Sequence, residues 1–316
     1  MDDLSSGQRK NADMLVANGA KFIEADILTI PEFPHAKLIY HLACPASPPF
    51  YQADPVRTWK ISVIGTMRVA EWALKIGARI LFTSTSEVYG DPLQHPQKES
   101  YWGNVNPIGI RSCYDEGKRA AETLLMDMHR SKVNWFCCFF FLFLKLLFAV
   151  CPSERLHCPI VQHVWSLYGS QGWSSGFQSH SSSIEGLRLF CFVCLFVCHG
   201  LFPKGEPMTV YGSGQQTRSF CFVNDTVDGL IKLMESQEVG PINIGNPQER
   251  TILDAAQVIQ RVVGSSVPIV HLPLPHDDPT RRQPDITLAK SRLNWQPKTN
   301  YEEGLPPTIA FFKTCL

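Results

Sequence analysis

A hydroxyl, a carboxylate and a Tyr-x-x-x-Lys pair lie close together in this chain: Thr85, Glu87, Tyr114 and Lys118. Four residues apart on a helix, Tyr114 and Lys118 are one turn apart and share a face. A phenol beside an ammonium loses its proton more easily, because the positive charge favours phenolate. A tyrosine, whose unperturbed pKa is about 10, can then serve as a base near neutral pH. Thr85 follows an apolar run and is expected at a strand end, within reach of the substrate hydroxyl that Tyr114 deprotonates. Tyr-x-x-x-Lys alone is common by chance. Joined to an upstream strand ending in Ser84-Thr85-Ser86-Glu87, it points to catalysis.

Alternating apolar runs and helical periods must position these groups. Residues 21–27, 37–43 and 78–83 read as strands, and 54–75 and 112–130 as helices. Strands alternating with helices imply a parallel sheet with right-handed crossovers, whose ligands bind beyond the carboxyl ends of the strands. Ala43 and Ser84 follow two such ends. Further on, 208–211, 241–245 and 267–272 read as strands. Asn224-Asp225 is expected to cap a helix over 226–235, Thr251 to cap one over 252–263, and 276–285 to be a polar loop before a last helix. The predicted fold is α/β: a Rossmann-like, doubly wound parallel sheet, incomplete at its N-terminus, with a smaller C-terminal α/β substrate-binding region.

The glycine-rich dinucleotide fingerprint expected before such a sheet is missing. Asp2 resembles the acid that ends the second strand and bonds the adenosine ribose, so the chain is expected to begin late by one strand–loop–helix–strand unit. Its 316 residues, 44% apolar and 18% charged, can bury a sizeable core, and zero net charge argues against a nucleic-acid partner. Of eleven cysteines, seven (Cys137, Cys138, Cys151, Cys158, Cys191, Cys194, Cys198) sit in one unusual segment; the rest read as reduced thiols.

The run from Gly90 to Arg119, with Tyr101-Trp102-Gly103-Asn104-Val105-Asn106-Pro107-Ile108-Gly109 and Tyr114-Asp115-Glu116-Gly117-Lys118, and the run His41-Leu42-Ala43-Cys44-Pro45-Ala46-Ser47-Pro48 resemble UDP-glucuronate decarboxylase (UDP-xylose synthase), within the extended short-chain dehydrogenase/reductases. The resemblance covers roughly 20–130 and 204–300. It implies a tightly held NAD and UDP-glucuronate as substrate. Tyr114 would deprotonate the sugar 4-hydroxyl, Thr85 share the hydrogen bond, and Lys118 hold the nicotinamide ribose. Glu87 would assist loss of carbon dioxide from the 4-keto intermediate. Arg282 would face the carboxylate, with Arg111, Lys60, Tyr211 and Arg218 as further substrate contacts. Asp2, Asp26, Ile27 and Leu42 would line the cofactor site. A homodimer through helices at 56–75 and 114–130 is also implied, as is a cytoplasmic location, or a Golgi one if the full-length protein carries an anchor.

Residues 135–203 break these patterns and divide the chain into 1–134, an aberrant and poorly ordered insert, and 204–316. Two Phe- and Cys-rich runs, 135–148 and 189–198, have the composition of translated pyrimidine tracts. Read one base along with permissible codons, 159–169 yields R-S-F-N-T-Y-G-P-S-M-D and 172–178 yields D-G-R-V-V-S-N, two blocks of the family in order. We therefore expect a frameshifted exon between two retained introns. The runs are shorter than a membrane helix needs, and Lys145 interrupts the first, so no membrane association is expected. Cys191, Cys194, Cys198 and His199 lie among apolar residues, and no metal is expected there. With the hidden blocks and the missing fingerprint, this chain is expected to turn over poorly. The alternatives are a nucleotide-sugar 4-epimerase or 4,6-dehydratase, or an inactive truncated subunit pairing with an intact homologue.

Overall fold

The computed structural model describes residues 1–7, 9–131, 137–142 and 207–313. Its centre is a parallel sheet of β1 (Leu38–His41), β2 (Arg79–Thr83), β3 (Cys137–Leu142) and a strand at Gly240–Ile244, side by side in that order. The next strands in chain order are β4 (Met208–Tyr211) and β5 (Thr217–Ser219), which makes Gly240–Ile244 β6. Two further strands are β7 (Glu249–Thr251), antiparallel to β5, and β8 (Ile269–Leu272), parallel to β4.

Both faces of the central sheet are covered, as an all-parallel sheet requires. Side chains alternate along β2: Ile80 and Phe82 pack with Val69, Ala73, Ala121 and Leu125, while Leu81 joins the opposite core with Ile242, Ile244, Leu230 and Leu233. The first face is covered by two helical stretches. One runs from 55 to 76 as Pro55–Lys60, a π-turn at Ile61–Gly65 and Thr66–Ile76. The other is Ser112–Ser131. With Arg9–Ala17 as α1 and Pro48–Ala53 as α2, these are α3, α4 and α5 in chain order. The second face is covered by α6 (Val223–Glu235), α7 (Ile252–Val263), α8 (Thr287–Leu293) and α9 (Tyr301–Lys313).

Two expectations change. Residues 21–27 form no strand; one parallel bridge, Asp2 to Glu24, is what pairs there. The helix expected over 226–235 starts three residues earlier, with Phe222 as N-cap. Asp225 therefore lies in its first turn, and its Oδ2 accepts from the backbone N–H of Lys298 and Thr299 at 3.1 and 2.8 Å, tying α6 to the approach to α9. Cys137–Leu142, within the span read as the insert, pairs with β2 on one side and β6 on the other. A continuous apolar run suits that position, since a central parallel strand has no solvent face. Residues 135–136 and 143–203 of the expected insert lie outside the described residues, as do Cys191, Cys194, Cys198 and His199.

Candidate functional site

The site grows from the carboxyl end of β2. Lys118 is buried on α5, and its Nζ donates to the Thr83 carbonyl at 2.8 Å, fastening the helix to the strand end two residues before Thr85. The same ammonium lies 4.7 Å from the Phe82 ring centre and 5.8 Å from that of Tyr114. Burial lowers the Lys118 pKa, opposed by Cys44 and Glu122. Tyr114 is buried with its ring stacked on Tyr51, centroids 5.1 Å apart and planes 8° from parallel. Thr85 caps the short 3₁₀ turn Ser86–Tyr89, its hydroxyl accepting from Glu87 N–H at 3.2 Å. That turn presents Glu87.

Glu87 gathers the arginines. Arg111 Nη2 and Arg282 Nη2 both reach its Oε2 at 2.6 Å, and Arg282 Nη1 donates to Ser86 Oγ at 2.7 Å. Asp278 is the second centre: Arg218 Nη2 approaches its Oδ2 at 2.8 Å and Arg111 Nη1 its Oδ1 at 3.5 Å. Burial alone would raise the Glu87 pKa, but Arg111 and Arg282 hold it well below the usual carboxylate range. Side chains of Arg111, Arg218, Arg282 and Asp278 are 10, 6, 7 and 5% exposed; Glu87 keeps 21%, so the cluster opens at that residue. Three guanidiniums against these two carboxylates leave a positive surplus facing the opening.

Loops bring these distant residues together. Gln97 exchanges backbone hydrogen bonds with Gln283 and Asp285 at 2.8 Å, and its side chain accepts from Gln283 N–H. Ser219 Oγ donates to the Arg282 carbonyl, seating the 276–285 loop against β5, which carries Arg218. Gly90, at φ +62°, accepts Arg282 Nη2 at its carbonyl, and a Cβ there would stand 1.9 Å from the Asn104 carbonyl oxygen. A side chain at position 90 would force the 91–104 loop away.

The residues expected around a cofactor meet elsewhere. Asp2, Leu42, Ile27 and Ala43 line a cleft of about 310 Å³ along β1, walled also by Leu15, Phe22 and Phe33. Asp26 and Ile27 adjoin a smaller hollow with Asp2, Asp3 and Cys44. Asp26 Oδ2 is paired with Arg57, which Asp3 shares at 2.9 Å. Lys60 is solvent-exposed at the end of α3, and Tyr211 is buried at the end of β4, its carbonyl accepting from Gln216. The structure thus joins Arg111, Arg218 and Arg282 in one cluster, while Lys60 stands on the protein surface. Sequence reasoning missed Asp278, Asp115, Tyr51 and Arg57. A signal existed for Asp278, an acid in a loop that also carries Arg282.

A parallel sheet covered on both faces, with Tyr-x-x-x-Lys beside the end of an inner strand, defines a short-chain dehydrogenase-like α/β fold. A family model, NAD dependent epimerase/dehydratase family, matches residues 2–145 and 199–245. UDP-glucuronic acid decarboxylase 2 of Arabidopsis thaliana is 43% identical over 314 residues, covering 99% of this chain and 62% of the relative. UDP-glucuronic acid decarboxylase 3 of the same plant is 43% identical over 305 residues, covering 96% of this chain and 78% of the relative. The chain belongs to the NAD dependent epimerase/dehydratase family and, within it, to the UDP-glucuronic acid decarboxylases. It spans 62% of the length of the first of these relatives. Among solved structures, a mutant UDP-glucuronic acid 4-epimerase from Bacillus cereus superposes with a TM-score of 0.74 at 18% identity, over 98% of this chain and 88% of that one.

The cleft along β1 fits the adenosine half of a dinucleotide in kind: aliphatic and aromatic walls for a base, and the Asp2 carboxylate for ribose hydroxyls. Among the described residues no helix is long and apolar enough to cross a membrane.

Proposed function

We propose that this site is built for NAD-dependent decarboxylation of UDP-glucuronate to UDP-xylose. The observation that carries the reading is the buried arginine cluster, open at Glu87 and adjoining the Tyr114–Lys118 helix. A cationic surplus in a low-dielectric cleft suits a ligand that brings a carboxylate. Tyr114 takes the proton of the sugar 4-hydroxyl and Thr85 shares that hydrogen bond. When bound, NAD would supply reversible hydride acceptance. Oxidation at C4 leaves the carboxylate beta to a carbonyl, so the electrons of the breaking C–C bond flow into that carbonyl as carbon dioxide departs, and a proton from solvent then takes the place of the carboxylate at C5. Arg282, steadied by Glu87 and Ser86, faces the carboxylate with Arg111, and Arg218 acts from Asp278. Lys118 would hold the nicotinamide ribose; Asp2, Asp26, Ile27 and Leu42 would hold the adenosine; Lys60 and Tyr211 would contact the nucleotide portion.

A thermal-shift comparison tests the reading. At a hundredfold excess over its Kd a ligand stabilises by about 2.7 kcal/mol. UDP-glucuronate is expected to raise the unfolding temperature of the purified chain clearly more than UDP-glucose, which lacks the carboxylate. Equal shifts would overturn the assignment. Radiolabelled carbon dioxide released from UDP-glucuronate with NAD present reports the chemistry.

We further infer a homodimer through 56–75 and 114–130. Val56, Trp59, Ile64 and Met67 are 63, 42, 37 and 37% exposed and fall on one side of the α3–α4 helix. Scattered singly such residues are ordinary; grouped beside α5 they make an apolar face suited to a second copy. Trp59→Glu with Met67→Glu is expected to halve the mass seen by light scattering. An unchanged mass would remove the interface. A cytoplasmic location accords with the free thiols of Cys44, Cys113 and Cys221.

A further inference from the structure

Asp115 has no part in the reaction outlined above, yet it sits inside the same cluster. It is 7% exposed, and its Oδ1 is buried without a hydrogen-bond partner. The Nη atoms of Arg111 are committed to Glu87 and Asp278; those of Arg282 are committed to Ser86, Glu87 and the Gly90 carbonyl. The charged and titratable groups around Asp115 come from every neighbouring element: Arg111 and Glu116 from its own helix and the residue before it, Glu87 from the turn after β2, Arg282 from the 276–285 loop, and Tyr51 from α2. The Tyr51 hydroxyl is likewise buried without a hydrogen-bond partner.

An ionised carboxylate left unpaired in such a place is strongly disfavoured; a neutral acid is not. Burial, then the Glu87 charge, pushes the Asp115 carboxyl up to about 8, against the pull of Arg111 and Arg282. Glu87 holds the arginines and stays ionised, so the proton of the pair resides on Asp115.

We propose that Asp115 is a positioning residue carried as a neutral carboxylic acid, whose proton leaves Arg111 and Arg282 to Glu87 and so keeps the guanidinium pair ready for a carboxylate ligand. The last clause rests on the proposed function; the protonation does not. Loss of the proton to solvent places a second negative charge beside Glu87, competes for Arg111 and disfavours anion binding.

The sign of the pH effect follows. A carboxyl raised in the folded protein lends stability below its ordinary range, and that stability drains away as pH rises towards the folded value. Relative to Asp115→Asn, the wild-type folding constant should therefore fall by up to tenfold per pH unit between about pH 5 and about pH 8, and level off above. Infrared difference spectra of the full chain supply a direct readout. Glu122, buried beside Ser84 and also pushed up to about 8, would give a similar carbonyl band, so spectra are taken in Glu122→Gln. A protonated-carboxyl band present at about pH 6, lost by about pH 9 and absent from the Asp115→Asn double variant supports the proposal. It is overturned if Glu122→Gln shows no such band, or if the band survives in the double variant. Should the double variant fail to fold, spectra of Glu122→Gln combined with Glu99→Gln decide it, because burial also raises the Glu99 carboxyl and loss of the band there would overturn the assignment to Asp115. UDP-glucuronate binding, by calorimetry, should weaken about tenfold from about pH 7 to about pH 9 and do so less in Asp115→Asn. Absent binding at every pH with the band intact would count against the proposed function and not against the proton.

Discussion

Glu87→Gln is expected to destabilise the protein by about 3–5 kcal/mol, the usual consequence of removing one partner from a buried charge group. The side chains have the same size, so lost packing does not account for such a change. What changes is charge. Arg111 and Arg282 both reach one oxygen of Glu87, and without its charge they remain buried with Asp278 as the nearby counter-ion. Denaturant unfolding reads this as a lower midpoint at an unchanged slope. A loss under about 1 kcal/mol would put the cluster among surface ion pairs, which contribute little. Acid removes the difference: a carboxyl held below its ordinary range stabilises at neutral pH and gives up that stability as pH falls through its folded value. Wild type and variant should therefore converge at low pH. Adding Arg282→Leu to Glu87→Gln should recover part of the loss, because an apolar replacement is far cheaper to bury than an orphaned cation.

The same cluster shows how far a linear reading reaches. The helix carrying Tyr114 and Lys118 and the strand ending at Thr83 were legible because a helical spacing and an apolar run each lie within a short segment. The parallel sheet was legible for the same reason. Asp225 was misplaced as a helix cap because an acid near a helix start can serve the turn or a distant chain. Here it serves the backbone of Lys298 and Thr299. β3 was not legible: Cys137–Leu142 is unbroken Phe, Cys and Leu, and composition alone does not separate a central strand from foreign sequence. Asp278 and Tyr51 belong to the site through loop-to-loop hydrogen bonds, with Gln97 holding Gln283, and through ring stacking across separate helices. No local periodicity encodes contacts of that kind.

Tyr114→Phe should lower carbon dioxide release from UDP-glucuronate by about 10²–10⁴-fold, the usual contribution of a positioned acid–base group. The measurement is a single-turnover assay with radiolabelled substrate, sensitive enough for a slow enzyme. Phenylalanine keeps the ring that stacks on Tyr51 at 5.1 Å and 8°, so stability should change by less than about 1 kcal/mol. UDP-glucuronate affinity should stay within about tenfold if, as proposed, the arginine cluster and not the phenol carries the carboxylate. A rate loss with binding and stability intact is the pattern expected when an interaction made only in the transition state is removed. If release is unchanged, the base lies elsewhere and the Tyr114–Lys118 pair is architectural, holding α5 to the end of β2. If binding collapses together with rate, Tyr114 acts through the ligand's ground state, and the arginine cluster does not suffice to hold the sugar acid.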